Sequence, residues 1–273
     1  MHFISALTSS VSSTVSQAAE STSSKEDMGF WEDICDRFNR TFIVENRWRD
    51  FLDGLSITVQ ITILSALLGV ALGFLVAMIR STHDLNLQKR KSKSFGDVVM
   101  RILMTVLNAL CNVYITVIRG TPVVIQLLIM YNIIFASSRN AVMIAVISFG
   151  INSGAYVAEI VRSGIMSIDK GQFEASRSIG FDYKSTMLHV IMPQALKNIL
   201  PALGNEFIVL VKETSVAGYV AIMDLTMVGN TVISRTYDAF FPLISVAVFY
   251  LVLVMILSFF LKKLERRLRN SDH

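Results

Sequence analysis

Charge is scarce in this chain. Of its 273 residues 17% are Asp, Glu, Lys or Arg, against about a quarter in soluble domains. Two cysteines are present: Cys35 in the N-terminal segment and Cys111 in an apolar run. They are expected at different depths, so neither a disulfide nor a metal site is indicated. The four histidines, His2, His83, His189 and His273, are too scattered to suggest a metal. Nothing in the chain reads GxxxxGK[ST], HExxH or GxSxG, which argues against a P-loop NTPase, a zinc peptidase and an α/β-hydrolase. No cofactor or metal is therefore expected on this chain. Residues 1–28 have neither a basic start nor a continuous apolar core, so they do not read as a cleaved signal peptide. Rich in serine and threonine, they are expected to be a disordered tail.

Hydrophobicity is what the chain has in abundance. Hydrophobic residues make up 53% and the mean hydropathy is +0.55, the composition of an all-α polytopic membrane protein. The net charge of +4 is gathered in two clusters beside apolar runs, which suggests membrane orientation and not nucleic-acid binding. Between Phe30 and Phe51 aromatics alternate with charges, and Trp31 and Trp48 suit a water–lipid boundary. This stretch reads as an amphipathic segment on the membrane surface.

Residues 54–79 carry no charge, ample for a first span, which needs about 20 residues. Arg80, Lys89, Arg90, Lys91 and Lys93 follow. Residues 239–261 form another clean span, followed by Lys262, Lys263, Arg266, Arg267 and Arg269. By the positive-inside rule both clusters face the cytoplasm and the N-terminus lies outside, so the number of crossings is odd. The uncharged runs 102–118 and 120–138 flank Arg119-Gly120-Thr121-Pro122. Proline breaks a helix and pushes the preceding residue out of helical angles. Residues 98–138 are accordingly read as one crossing, low in the cytoplasmic leaflet before the break and outward after it. Residues 141–160 return, 194–211 go out again, and 214–238 form a short helix partly inserted from outside. The total is five transmembrane helices, with 162–193 inside.

The polar stretch 171–193 stands out between the hydrophobic runs. Gln172 to Ile179 reads as a short helix closed by Gly180, and Tyr183 to Ile191 as a second one running up to Pro193. Glu174-Ala175-Ser176, then Gly180, then Val190-Ile191-Met192-Pro193 resemble the cytoplasmic EAA loop of type I ABC-importer permeases. Ser176 stands for the second alanine, Val190 for isoleucine and Met192 for leucine. Arg119-Gly120-Thr121-Pro122, the run from Ala155 to Arg162, Gly171-Gln172, the run from Leu200 to Asn205 and Lys212-Glu213-Thr214-Ser215 are similar, in order and spacing, to the polar amino-acid subfamily. The resemblance covers roughly residues 50–268.

Polar groups at membrane depth are the candidates for a transport path, because lipid-facing charge is costly. Asn205 and Lys212 lie seven residues apart on one face of the 194–211 helix, and Glu206 and Glu213 share the adjacent stripe. Glu206 is a candidate contact for a substrate ammonium or guanidinium group. The other reading is a structural ion pair, for example with Arg119. A helix starting at Pro122 exposes backbone N–H groups that attract a carboxylate. Thr121 and Gln126 are candidates there, with Arg119 either beside the substrate or snorkelling. Tyr131, Asn132 and Asn152 read as helix–helix hydrogen-bonding groups. Gly69, Ala71 and Gly73 permit close helix packing. Glu159 and Arg162, three apart, read as a pair bracing the loop.

The resemblance implies a permease subunit of an ABC importer moving a polar amino acid across the cytoplasmic membrane of a prokaryote. It implies a separate ATP-binding cassette subunit that holds ATP and Mg and docks on Glu174, Ala175, Ser176, Gly180 and Pro193. A second permease subunit, identical or not, and an extracytoplasmic amino-acid-binding protein complete the expected assembly. The chain itself is then no enzyme. Residues 1–50 form an extracytoplasmic arm, 51–268 the transmembrane domain and 269–273 a cytoplasmic tail. Two alternatives remain: an ion-gradient-driven secondary transporter, and a membrane scaffold or sensor subunit.

Overall fold

The computed structural model describes residues 29–87 and 95–269. The tail 1–28, the basic run 89–93 and residues 270–273 lie outside them. The described residues are helical almost throughout. A short helix α1 (Phe30–Phe38) leads through one wider turn, Asn39–Ile43, to a bend at Glu45 and Asn46, whose φ angles are 58° and 56°. Then come α2 (Trp48–Leu87), α3 (Phe95–Arg119), α4 (Val123–Ile129, prolonged through Met130–Ile134) and α5 (Ala141–Met166). The short α6 (Lys170–Ser178) and α7 (Tyr183–Thr186, prolonged through Met187–Ile191) precede α8 (Met192–Glu213). A tight turn, Thr214–Val220, leads to α9 (Leu225–Thr236), and α10 (Phe240–Arg269) ends the chain.

Four of these are long and apolar enough to cross a bilayer alone: α2, α3, α5 and α10. The fifth crossing is bent. The continuous helix Tyr183–Val220 and α9 meet at 49° and together pass as one span. The first span is longer than the uncharged run suggests, because no breaker separates Trp48 from Gly54. The backbone reversal at Glu45 and Asn46 marks its start instead.

The interrupted third helix follows the expected path, as its neighbours show. Cys111 and Ile115 of α3 pack with Val76 of α2 and with Ala155 and Ala158 of α5. Past the break, Leu127 of α4 packs with Ile61, Ala145, Phe149 and Ala217. Because α2 and α5 run parallel, with Ser65 beside Val146, Gly73 beside Val157 and Arg80 beside Glu159, α3 lies beside the halves nearer α6, and α4 beside the opposite halves. Gly120–Pro122 thus sits at mid-depth. The two ends are called here the loop end, with α6 and α7, and the far end.

Small residues hold the central pair together. A Cβ on Gly73 would lie 2.5 Å from Val157 Cβ, and one on Gly69 would lie 3.0 Å from Ser153 Cβ. Contact this close between α2 and α5 gathers dispersion energy along the length of both helices. By contrast, α10 leans on α8 and α9, and its most apolar stretch has no buried residue.

One boundary differs from expectation. The helix from Tyr183 does not stop at Pro193 but runs unbroken into α8. The turn Met187–Ile191 is wider than an α-helical one, with Met192 N–H bonded to Met187 O five residues back. A wide turn of this kind lets a helix pass a proline, whose ring would clash with a carbonyl in regular geometry.

Candidate coupling loop and membrane-depth polar site

At the loop end, Asp169 caps α6 by accepting from Gly171 N–H at 2.6 Å. The helix closes at Gly180, where φ is +96°. Phe181 N–H reaches back to Ser176 O at 3.1 Å and Gly180 N–H to Arg177 O at 3.1 Å. This is the paired closure for which a left-handed glycine is the favoured residue. Asp182 then caps α7 through Ser185 N–H at 2.7 Å, and bonding from Ser185 holds its carboxyl below the usual carboxylate range.

The hairpin is fastened from beneath. Phe173 and Tyr183 meet edge to face at 5.9 Å, and both pack on the cluster of Val157, Val161, Ile165, Met187, Ile191 and Ile199. Ser176 is buried, its hydroxyl donating to Gln172 O at 2.6 Å, whereas Glu174, Ala175, Gly180 and Pro193 are exposed. A cavity of about 430 Å³ opens between α6 and the ends of α5 and α7, with Lys170, Glu174 and Arg177 on its wall. One turn deeper, Glu159 accepts from Arg162 at 2.7 Å and from Arg80 at 2.7 Å. The expected Glu159–Arg162 pair is thus a three-membered bridge, and Arg80 ties α2 into it.

The second cluster lies at mid-depth around one turn of α5. Asn152 Nδ2 donates to Gln126 Oε1 at 2.9 Å. The Gln126 amide in turn donates to Ile118 O at 2.7 Å and to Thr121 Oγ1 at 2.8 Å. Gln126 therefore satisfies a carbonyl freed by the break after Arg119, as helix interruptions at membrane depth require. On the next residue of α5, Ser153 Oγ donates to Glu206 Oε1 at 3.1 Å. Arg119 lays its guanidinium 5.2 Å above the Tyr156 ring, a cation–π contact.

The expected site residues are thus only partly assembled. Glu206, Gln126, Thr121 and Arg119 converge on the α5 residues 152–156. Asn205 is exposed and donates to Pro201 O of its own helix at 3.3 Å, and Lys212 is exposed seven residues further on. Asn152 bonds across helices as expected, but Asn132 donates to Leu128 O of its own helix. Ser153 and Tyr156 were missed by the sequence reading. One looks like a small packing residue and the other like an interfacial aromatic. The available signal was their spacing from Asn152 on a helix otherwise poor in polar groups.

This architecture, five crossings with one broken at mid-depth and a capped two-helix loop at one end, defines a membrane permease. Residues 93–270 match the family model described as "Binding-protein-dependent transport system inner membrane component". The chain belongs to that family. Among curated proteins it is 35% identical to the putative glutamine transport system permease protein of Rickettsia typhi, over 80% of this chain and 92% of that protein. It is likewise 35% identical to the arginine transport system permease protein of Bacillus subtilis, over 81% of this chain and 93% of that one. Among solved structures, that of an amino acid ABC transporter superposes with a TM-score of 0.70 at 37% identity, covering 83% of this chain and 98% of that chain.

Proposed function

We propose that this chain forms the membrane path, or half of it, of an ATP-driven importer for a polar amino acid. The observation that carries the reading is the α6–α7 hairpin. It is a preformed, exposed knob, capped at both helices and seated on the ends of α2, α5 and α8. An ATP-binding cassette subunit grips Glu174, Ala175 and the Gly180 turn, and its closure on ATP and Mg displaces the knob. Glu159, held by Arg80 and Arg162, passes that displacement to α2 and α5 together.

The path runs past the break at Gly120–Pro122. The substrate carboxylate meets the start of α4 and Thr121, and its ammonium group meets Glu206. Arg119, resting on Tyr156, is positioned to exchange that contact for a substrate carboxylate. The loop end faces the cytoplasm and the far end the binding protein that delivers the amino acid. The substrate class rests on the amino-acid permeases among the relatives and on this pairing of an anion site with a cation site.

The test is reconstitution of the chain with its ATPase and binding protein in liposomes, with a panel of polar amino acids outside. ATP hydrolysis should rise with one of them and the same compound should accumulate. Uptake that persists without ATP but collapses with an ion-gradient uncoupler would instead make the chain a secondary transporter.

A further inference from the structure

The arm before the first span is left over by the transport reading, and its structure gives it a role of its own. Along Phe30–Phe38 and the following turn, Phe30, Trp31, Ile34, Phe38 and Phe42 share one face at helical spacing, with Glu32, Asp33, Asp36 and Arg40 on the other. The charged side largely satisfies itself: Arg37 meets Asp33 at 2.8 Å and Arg40 meets Asp36 at 2.7 Å.

The apolar side is fastened at one end only. Phe42 meets Phe51 in a tilted contact with ring centroids 5.4 Å apart, and Phe51 stacks on Phe249 of α10 at 5.9 Å. Phe38 meets Phe241 edge to face at 6.5 Å. Two ionic contacts reinforce the seam: Arg37 lies 3.8 Å from Asp238, at the joint of α9 and α10, and Arg235 of α9 lies 3.7 Å from Glu45. Within the arm, Arg47 is buried with its guanidinium donating to Arg40 O at 2.6 Å. Towards its start the same face is bare, with Phe30 and Trp31 72% and 74% exposed.

What covers that bare face is indicated by what it adjoins. The Phe38–Phe241 contact joins it to the start of α10, where Phe240, Leu243 and Ile244 are exposed on a helix that spans the bilayer. The two apolar surfaces are thus continuous through the Phe38–Phe241 contact. Aromatic side chains next to self-paired charges suit the boundary between headgroups and acyl chains.

We propose that α1 is an interfacial helix whose Phe30–Trp31–Phe38 face lies in the lipid boundary at the far end, and that it clamps the α9–α10 joint to the membrane surface through Phe38–Phe241 and Arg37–Asp238. The occupant of the bare face is lipid and no second protein. This inference does not depend on which solute is carried.

The chain has two tryptophans, Trp31 and Trp48, so Trp48→Phe leaves Trp31 as the sole reporter. Trp48→Tyr serves the same purpose should the phenylalanine variant insert poorly. The full chain is placed in phosphatidylcholine nanodiscs with bromines at different depths on the acyl chains. Trp31 emission should be quenched most by bromines within about 5–10 Å of the headgroups, and little by aqueous iodide. Quenching by iodide alone places the helix in water and overturns the proposal. Protection from both quenchers means protein covers the face, and overturns it equally. For the clamp, Arg37→Gln with Phe38→Ala should speed backbone hydrogen exchange at residues 237–241. Unchanged exchange there would show that the arm rests on the joint without holding it.

Discussion

Ser153 on α5 and Glu206 on α8 are joined by a hydrogen bond of 3.1 Å at mid-depth, beside the broken α3–α4 helix. The bond leaves Glu206 Oε2 available to a second donor. It also ties the carboxylate to the helix that carries Asn152 and, through it, Gln126.

Replacing Glu206 by Gln keeps the size and removes the charge. A desolvated charge pair that loses one partner costs about 2–5 kcal/mol, so apparent affinity for the transported amino acid should fall roughly tenfold or more. Assembly with the ATPase and basal hydrolysis should persist. Early melting with unchanged affinity in the surviving protein would assign Glu206 to structure instead.

Gly180→Val should insert and melt like the parent, because nothing lies within 4 Å of a Cβ there. A β-branched residue at φ +96° is strained, so the hairpin turn reshapes. Stimulation of the ATPase by substrate should drop while the spans stay intact. Normal transport by this variant would remove the docking assignment.

Gly73→Ala tests the central pair. The new Cβ meets Val157 Cβ at 2.5 Å, and overpacking of this kind typically costs about 1–3 kcal/mol. The melting temperature in detergent should fall, and Val157→Gly in the same chain should restore part of it. An unchanged melt would mean that α2 and α5 shift apart freely.

Orientation is read by cysteine labelling in intact cells, with Cys35→Ser as background. Tyr237, 94% exposed at the far end, should react as Tyr237→Cys with an impermeant maleimide added outside. Lys170→Cys in α6 should not. The reverse pattern would invert the topology and the docking face together.

Much of this was legible in the sequence, and the reasons are physical. Uncharged runs of bilayer length specify spans whatever their neighbours do, and a glycine between two polar half-helices specifies the turn at Gly180. Parity of charge clusters also recovered the path through Arg119-Gly120-Thr121-Pro122. What the pattern concealed was tertiary. Pro193 lies inside a continuous helix because a widened turn precedes it, and no local signal marks such a turn. Ser153 and Tyr156 acquire meaning only when α3 and α8 arrive beside them. Arg80, at the foot of the first span, read as a topological charge until the fold set it on Glu159.

The glycine-lined contact between α2 and α5 has a further consequence. Two helices interlocked along their length behave as a single stiff beam, and the Arg80–Glu159–Arg162 bridge rivets its lower end. A beam tilts but does not flex. In the transport cycle proposed above, a doorway would therefore open along its flank, where α4 hangs from a broken helix and α8 carries Pro201 at mid-course. Those two pieces would be the leaves of the door, and α2 and α5 its post.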